Sequence, residues 1–158
     1  MSKIQVCLGF NTEAEEAARY YCSVFKDSKM GSVTYYGDNA PMPKGTVLTA
    51  TFFVNGQEFL ALNCGPAFKF TGAISLMINC KSQEEIDYYW EKLIADGGEA
   101  IQCGWLTDKF GVSWQVVPAS FSEMVKAADP AKMERLMAAV MQMVKLDIAK
   151  MEQAFHGA

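Results

Sequence analysis

The strongest constraint on what this chain can fold into is an internal repeat. The apolar run Ile4 to Phe10 reads as a strand, ends at Asn11, and is followed by Thr12-x-x-Glu15. That spacing is a capping box, in which a hydroxyl and a carboxylate satisfy free N–H groups at a helix start. Ala17, Tyr20, Tyr21, Val24 and Phe25 then recur at helical spacing and predict one buried face. The same signals begin again with a strand at Ile74 to Asn79 and a second capping box, Ser82-x-x-Glu85. Ile86, Tyr89, Trp90, Leu93 and Ile94 make the second helical face. Ile4 and Ile74 are 70 residues apart, as are Thr12 and Ser82, while the helix faces match at an offset of 69.

Strand signals follow each helix. Ser32 to Tyr36 alternates, Gly37 to Gly45 is a turn-rich loop, and Val47 to Val54 is rich in Thr, Val and Phe. Asn55-Gly56 is a hairpin signal, because both residues tolerate the positive φ that such turns need. Glu58 to Asn63 is the returning strand. In the second half Gly97-Gly98 stops the helix, and Glu99 to Cys103, Trp105 to Thr107 and Val112 to Val117 read as strands, with a turn at Lys109 to Gly111. The expected fold is α+β: two βαβββ modules, at about residues 3–66 and 73–118. One helix covers one face of its sheet, so the other face needs a partner; pairing two such sheets would enclose a groove. A chain of 158 residues that is 51% hydrophobic suits one domain built on such a core.

Residues 119–158 are expected to form a helical extension of the same domain. Ala119 to Ala128 reads as a short helix, and Asp129-Pro130 starts another with proline at its first position. Residues 131–155 then read as one long helix. Its apolar stripe is Met133, Leu136, Met137, Val140, Met141, Val144, Ile148, Met151 and Phe155. Methionine fills irregular gaps, so the stripe suits packing on its own domain or against a twin subunit in a homodimer; a lid over the groove is the sharper alternative.

Charge and cysteine usage exclude several classes. The net charge is -4 and no basic run of five or more residues exists, so nucleic acid is not an expected partner. Met1-Ser2-Lys3-Ile4 leads straight into the first strand without an apolar h-region or cleavage site, and no apolar run approaches the ~20 residues of a membrane span. A cytoplasmic, membrane-free protein is the expectation. The five cysteines, Cys7, Cys22, Cys64, Cys80 and Cys103, are widely spaced with no C-x-x-C pair, which suits reduced thiols rather than disulfides or zinc clusters. Cys103, beside Gly104 and Trp105, stands out among them. The single histidine, His156, supplies neither a multi-ligand metal centre nor a Ser-His-Asp set. No phosphate-binding Gly-x-x-x-x-Gly-Lys-Ser/Thr loop is present, and no glycine-rich turn suits S-adenosylmethionine by analogy with dinucleotide folds.

Several stretches together carry a family resemblance. They are Ala14-Glu15-Glu16-Ala17-Ala18 with Tyr21 and Phe25, Gly56-Gln57-Glu58-Phe59-Leu60-Ala61-Leu62-Asn63, Gly65-Pro66-x-Phe68-x-Phe70-Thr71, and Cys103-Gly104-Trp105-Leu106-Thr107-Asp108-Lys109-Phe110-Gly111-Val112-Ser113-Trp114-Gln115. Over about residues 3–155 the chain resembles the PhnB-like family of the vicinal-oxygen-chelate superfamily, which includes glyoxalases, bleomycin-resistance proteins and extradiol dioxygenases. The resemblance implies that superfamily's fold and leaves open a lyase- or transferase-like activity. Family members often carry a demethylubiquinone methyltransferase label.

Metal-dependent relatives place a ligand on the first and last strands of each module, typically His or Glu. Carried over one position at a time, those places hold Gln5 or its neighbour Val6, then Leu60, Ser75 and Gln115. Neutral amides and a hydroxyl are poor ligands for divalent zinc, iron or manganese, so no metal and no cofactor are expected. Glu58 points the same way as Leu60 on an alternating strand, but one carboxylate does not make a site. A cavity reading remains. Gln5, Ser75 and Gln115 would be hydrogen-bonding groups, Trp105, Trp114, Phe68 and Phe70 would be aromatic walls, and Asp108 would either join them or hold a turn. The expected function is metal-free binding of a small organic molecule. The alternatives are a demethylubiquinone methyltransferase-like enzyme and an antibiotic-sequestering resistance protein.

Overall fold

In the computed structural model, which describes residues 4–157, each repeat folds as one helix laid against one four-stranded sheet. The leading Met1-Ser2-Lys3 lies outside the described residues. The first repeat contains β1 (Val6–Phe10), α1 (Ala14–Val24), β2 (Ser28–Tyr35), β3 (Val47–Val54) and β4 (Gln57–Asn63). The second contains β5 (Leu76–Cys80), α2 (Gln83–Ile94), β6 (Glu99–Ala100), β7 (Trp105–Thr107) and β8 (Ser113–Pro118). Three helices follow: α3 (Ser120–Ala127), α4 (Pro130–Val140) and α5 (Ile148–His156). The chain divides into two compact units, one ending at Lys69 and the other beginning at Phe70 and including the C-terminal helices.

The two sheets have the same topology, β1-β4-β3-β2 and β5-β8-β7-β6. In each, the first strand runs parallel to the last, with Val6 opposite Phe59 and Leu76 opposite Trp114, and the remaining pairs are antiparallel. The 70-residue spacing read from the sequence is therefore the spacing between β1 and β5. Ile4 and Ile74, expected to open these strands, lie exposed just before them.

Side-chain alternation sorts each sheet into a helix-covered face and an open face. In the first unit Leu8, Phe10, Ala50, Phe52, Phe59 and Ala61 are buried, as are Ala14, Ala17, Ala18, Tyr21 and Val24 of α1. The small alanines on both elements let helix and sheet approach closely. Phe52 stacks on Phe59 at 5.1 Å and on Tyr21 at 5.7 Å between ring centroids. In the second unit Cys80, Leu106, Trp114 and Val116 are buried, together with Ile86, Trp90 and Leu93 of α2. The β3–β4 hairpin turns at Asn55 and Gly56 with φ of 48° and 78°, as the Asn-Gly signal requires.

The two capping boxes behave differently. Ser82 Oγ accepts from Glu85 N at 3.3 Å, and Glu85 Oε2 accepts from Lys81 N at 2.7 Å. Thr12 does not cap α1. The N-cap is Glu13, with no side-chain cap bond, and the donor Ala14 N goes instead to Asn63 Oδ1 at 2.9 Å. Asn63 is buried at the end of β4, and its Nδ2 donates to Val47 O at 3.0 Å. A buried amide must bond through both its oxygen and its nitrogen, and the unsatisfied first turn of α1 provides the donor it needs.

The single long helix expected over 131–155 is broken. Residues 141–147 leave the helix and lie along the stretch before β7, where Cys103 N donates to Met143 O and Gly104 N to Val144 O, both at 2.8 Å. Gly104 has φ +80°, and a Cβ there would come within 2.8 Å of Val116 O and 3.0 Å of Leu146, so glycine lets Leu146 bury itself. Gln83 of α2 clamps the same segment, donating to Leu146 O at 3.1 Å and accepting from Ile148 N at 2.9 Å. Asp147 Oδ1 caps α5 through Lys150 N at 3.1 Å. This docking also shortens the strand expected over Glu99 to Cys103 to Glu99–Ala100. Leu136, Val140, Leu146, Met151 and Phe155 form one core with Val117, while Met137, Met141 and Val144 stay exposed. The continuous seam on which a twin-subunit contact was expected is thus interrupted. Among the described residues no helix is long and apolar enough to cross a membrane.

The substitution Asn63→Ala removes the α1 cap and the Val47 bond together and is expected to cost about 2 kcal/mol in urea unfolding. Thr12→Ala should stay within about 0.5 kcal/mol of the wild type. Equal losses for the two variants would show that the cap is not supplied from β4.

Candidate functional site: the open face of the second sheet

Cross-strand register places Met77, Gln115 and Trp105 side by side in one row across β5, β8 and β7. Their neighbours Leu106, Trp114 and Val116 are buried on the α2 side, so alternation turns this row to the open face. Met77 is 54% exposed, and Gln115 and Trp105 are half-buried. Ser75, two residues before Met77, joins them: Gln115 Nε2 donates to Ser75 Oγ at 2.8 Å. Two polar side chains, an indole and a thioether therefore share one patch. The corresponding row of the first unit is Cys7, Leu60 and Thr51. Gln5 lies exposed ahead of β1, in the sequence place that Ser75 holds ahead of β5. Counting alternation outward from Gln115 would have found Met77, the one open-row residue of this sheet that the cavity reading missed.

The other candidates fall elsewhere. Asp108 is 2% exposed, and its carboxylate is engaged on both oxygens. Oδ1 accepts from Phe110 N at 2.9 Å and Val112 N at 3.0 Å, and Oδ2 accepts from Trp114 Nε1 at 2.8 Å. Asp108 therefore builds the β7–β8 turn and ties it to a core indole. Neither Asp108 nor Trp114 is on the open face, because Trp114 is one residue out of phase with Gln115. Phe68 is 74% exposed and Phe70 half-buried, in the stretch where the first unit gives way to the second. A cavity of about 510 Å³ lies apart from the open row, lined by Gln83, Asp87 and residues of the 142–147 segment. Its charges already pair, Lys145 Nζ with Asp87 at 2.6 Å and Lys150 Nζ with Asp147 at 3.5 Å.

The residues present do not fit a divalent metal ion. Leu60 offers no donor atom, and Ser75 and Gln115 bond to each other. Among the described residues no three His, Cys, Asp or Glu side chains gather as a metal group. A methyl-donor cradle of the usual βα type is not built either: β1 leads to α1 through Asn11-Thr12-Glu13, and β5 to α2 through Lys81-Ser82, without glycine. The Cys80 and Cys7 thiols are poorly disposed to act as nucleophiles. Burial, with Glu85 nearby, pushes Cys80 up to about 12, and burial followed by Cys64 raises Cys7. Lys145 holds the Asp87 carboxyl below its ordinary value, helped by Gln83.

Two βαβββ units with this strand order define the vicinal-oxygen-chelate fold, and comparison with known proteins narrows the class. The family model described as 3-demethylubiquinone-9 3-methyltransferase matches residues 2–117. The solved PhnB protein from Bacillus cereus is 41% identical, with a TM-score of 0.68 over 75% of this chain and 100% of that one. The chain belongs to this PhnB-like family of the vicinal-oxygen-chelate superfamily. A protein from Pseudomonas aeruginosa shares the fold at 23% identity and TM-score 0.61, covering 75% of this chain and 98% of its own. The fosfomycin resistance protein FosX from Listeria monocytogenes, solved with Mn(II) and dihydroxypropylphosphonic acid, shares it at 13% identity and TM-score 0.58, covering 79% and 98%. No curated protein matches the chain. The family match stops at 117, so α3, α4 and α5 lie outside it.

Replacing Asp108 with alanine strands three donors and is expected to lower stability by about 3 kcal/mol, read as a shift of the urea midpoint. Labelling with a thiol reagent at neutral pH should modify the exposed Cys7 in the folded protein and reach buried Cys80 only on unfolding. Native-state modification of Cys80 at the rate of Cys7 would contradict the burial argument.

Proposed function

We propose that this chain binds a small, largely apolar organic molecule on the open face of the second sheet, with no metal ion taking part. One observation carries the reading: the two positions where metal-dependent relatives hold ligands are here Ser75 and Gln115, bonded to each other beside Trp105 and Met77. With Gln115 Nε2 donating to Ser75 Oγ, the Ser75 hydroxyl hydrogen and Gln115 Oε1 offer one donor and one acceptor. Trp105 and Met77 add an aromatic and a polarisable surface. A few placed polar groups on an apolar surface is the usual make-up of a small-ligand site. The pair would orient a carbonyl, phenol or hydroxyl group. It holds no charge with which to draw a proton from carbon, so the reading is binding rather than acid–base catalysis.

The family description favours a second reading, a methyl-transferring enzyme. It requires S-adenosylmethionine to bind in a mode unlike the glycine-rich turn of doubly wound folds. Calorimetry with S-adenosylmethionine separates the two readings, since saturable heat favours the transferase and its absence removes it.

The test of binding is Trp fluorescence against a panel of small quinones, phenols and aromatic amides. A ligand that binds the wild type is expected to bind Gln115→Ala about tenfold more weakly, the effect of about 1.4 kcal/mol from lost hydrogen bonds. Trp105→Ala should remove most of the fluorescence response. Unchanged affinity in both variants, or a stoichiometric transition metal in the purified protein, would sink the proposal.

A further inference from the structure

We infer that residues 141–147 act as a positioning strap for the ligand site: Leu146, held by Gln83, sets where Trp105 and Gln115 stand, and through them the affinity of the open face. The inference rests on the binding reading above and names what controls that same site. Neither positioning residue can touch a ligand on the open row. Leu146 is 1% exposed, and Gln83 is the first residue of α2, which covers the opposite side of the sheet. Both act through the backbone on which the row is mounted.

Gly104 is the joint. It directly precedes Trp105, and its bonding partner Val116 directly follows Gln115. Gly104 N donates to Val144 O of the strap, and Gly104 O accepts from Val116 N, both at 2.8 Å. One residue therefore ties the strap to both strands that carry the row. The chain turns here through two successive left-handed residues, Cys103 at φ +62° and Gly104 at φ +80°. A cysteine keeps that conformation only where its surroundings over-determine it, and the strap supplies the Cys103 N to Met143 O bond as well as the one to Gly104. Leu146 fills the space in which a Cβ on Gly104 would stand, 3.0 Å away. The strap is in turn pinned to α2, by the two bonds of Gln83 to Leu146 O and Ile148 N and by the Lys145–Asp87 ion pair at 2.6 Å. Val117, two residues past Gln115 on the same face of β8, is buried in the core that contains Leu136, Val140 and Leu146. The C-terminal core thus begins where the open row ends. A binding row keeps its geometry only when the groups behind it are locked, and here they are locked by a segment outside the family match.

The experiment reads the row directly, by nuclear magnetic resonance of the isotope-labelled full chain. The Trp105 indole resonance, assigned with Trp105→Phe, and hydrogen exchange at Val116 N–H are recorded for Leu146→Ala, Leu146→Met and Gln83→Ala. Affinity is measured alongside for the molecule of the quinone, phenol and amide panel that binds the wild type. Leu146→Ala is expected to shift the indole resonance, speed exchange at Val116 and weaken binding about tenfold, and Gln83→Ala, which leaves the core filled, about threefold. Leu146→Met restores the volume and should bind within about twofold of the wild type. Asn63→Ala destabilises the first unit and should leave the indole resonance and the affinity unchanged, which separates positioning from a general loss of stability. Wild-type resonance and exchange in both Leu146→Ala and Gln83→Ala would overturn the inference. So would wild-type affinity in Leu146→Ala despite a shifted resonance, or an equal loss of affinity in Asn63→Ala. If nothing in the panel binds the wild type, the binding reading fails, and the resonance and exchange data still decide whether the strap positions the row.

Discussion

A single helix covers one side of each four-stranded sheet and leaves much of the other side open, Val117 under the C-terminal helices excepted, and the rest of this structure depends on that imbalance. Burial of Leu8, Phe52, Ala61 and Tyr21 in one unit, and of Leu106, Trp114, Val116 and Trp90 in the other, uses up one face of each sheet. Because β-strand side chains alternate, the remaining residues have no choice of direction. Met77, Gln115 and Trp105 are presented together because their neighbours are committed to the core.

Buried and half-buried polar side chains then fix how distant segments meet. Asn63 joins the end of β4 to the start of α1 and to β3. Asp108 joins the β7–β8 turn to Trp114, and Gln83 holds the segment between α4 and α5 against α2. In each case the group would be costly to bury alone, so satisfying it specifies a particular contact. Among the described residues no buried side-chain nitrogen or oxygen is left without a partner.

The same economy shapes the open face. Ser75 and Gln115 satisfy each other, and beside them the patch presents the Trp105 indole and the Met77 thioether. The C-terminal helices α3, α4 and α5 lie outside the stretch that the family model matches, and the segment between α4 and α5 meets the second sheet through the backbone of Cys103 and Gly104.

The duplicated βαβββ order was legible in the sequence because it is written in local signals: periodicity, an Asn-Gly turn, the Ser82 cap and a spacing of 70. So was the neutral character of Ser75 and Gln115, which depends on residue type alone. The cap on α1, the role of Asp108 and the break between α4 and α5 were not. Thr12 carries the better local cap signal, yet Asn63, 49 residues away, takes the bond because burial left its amide in need of a donor. Residues 141–147 continue a helical stripe by pattern, yet they straighten because the edge at Cys103 and Gly104 offers two backbone bonds and a place for Leu146. Periodicity and turn chemistry are properties of neighbouring residues, and a sequence states them directly. Which partner a buried polar group or an unpaired backbone edge finds is settled only when distant segments compete for it in three dimensions.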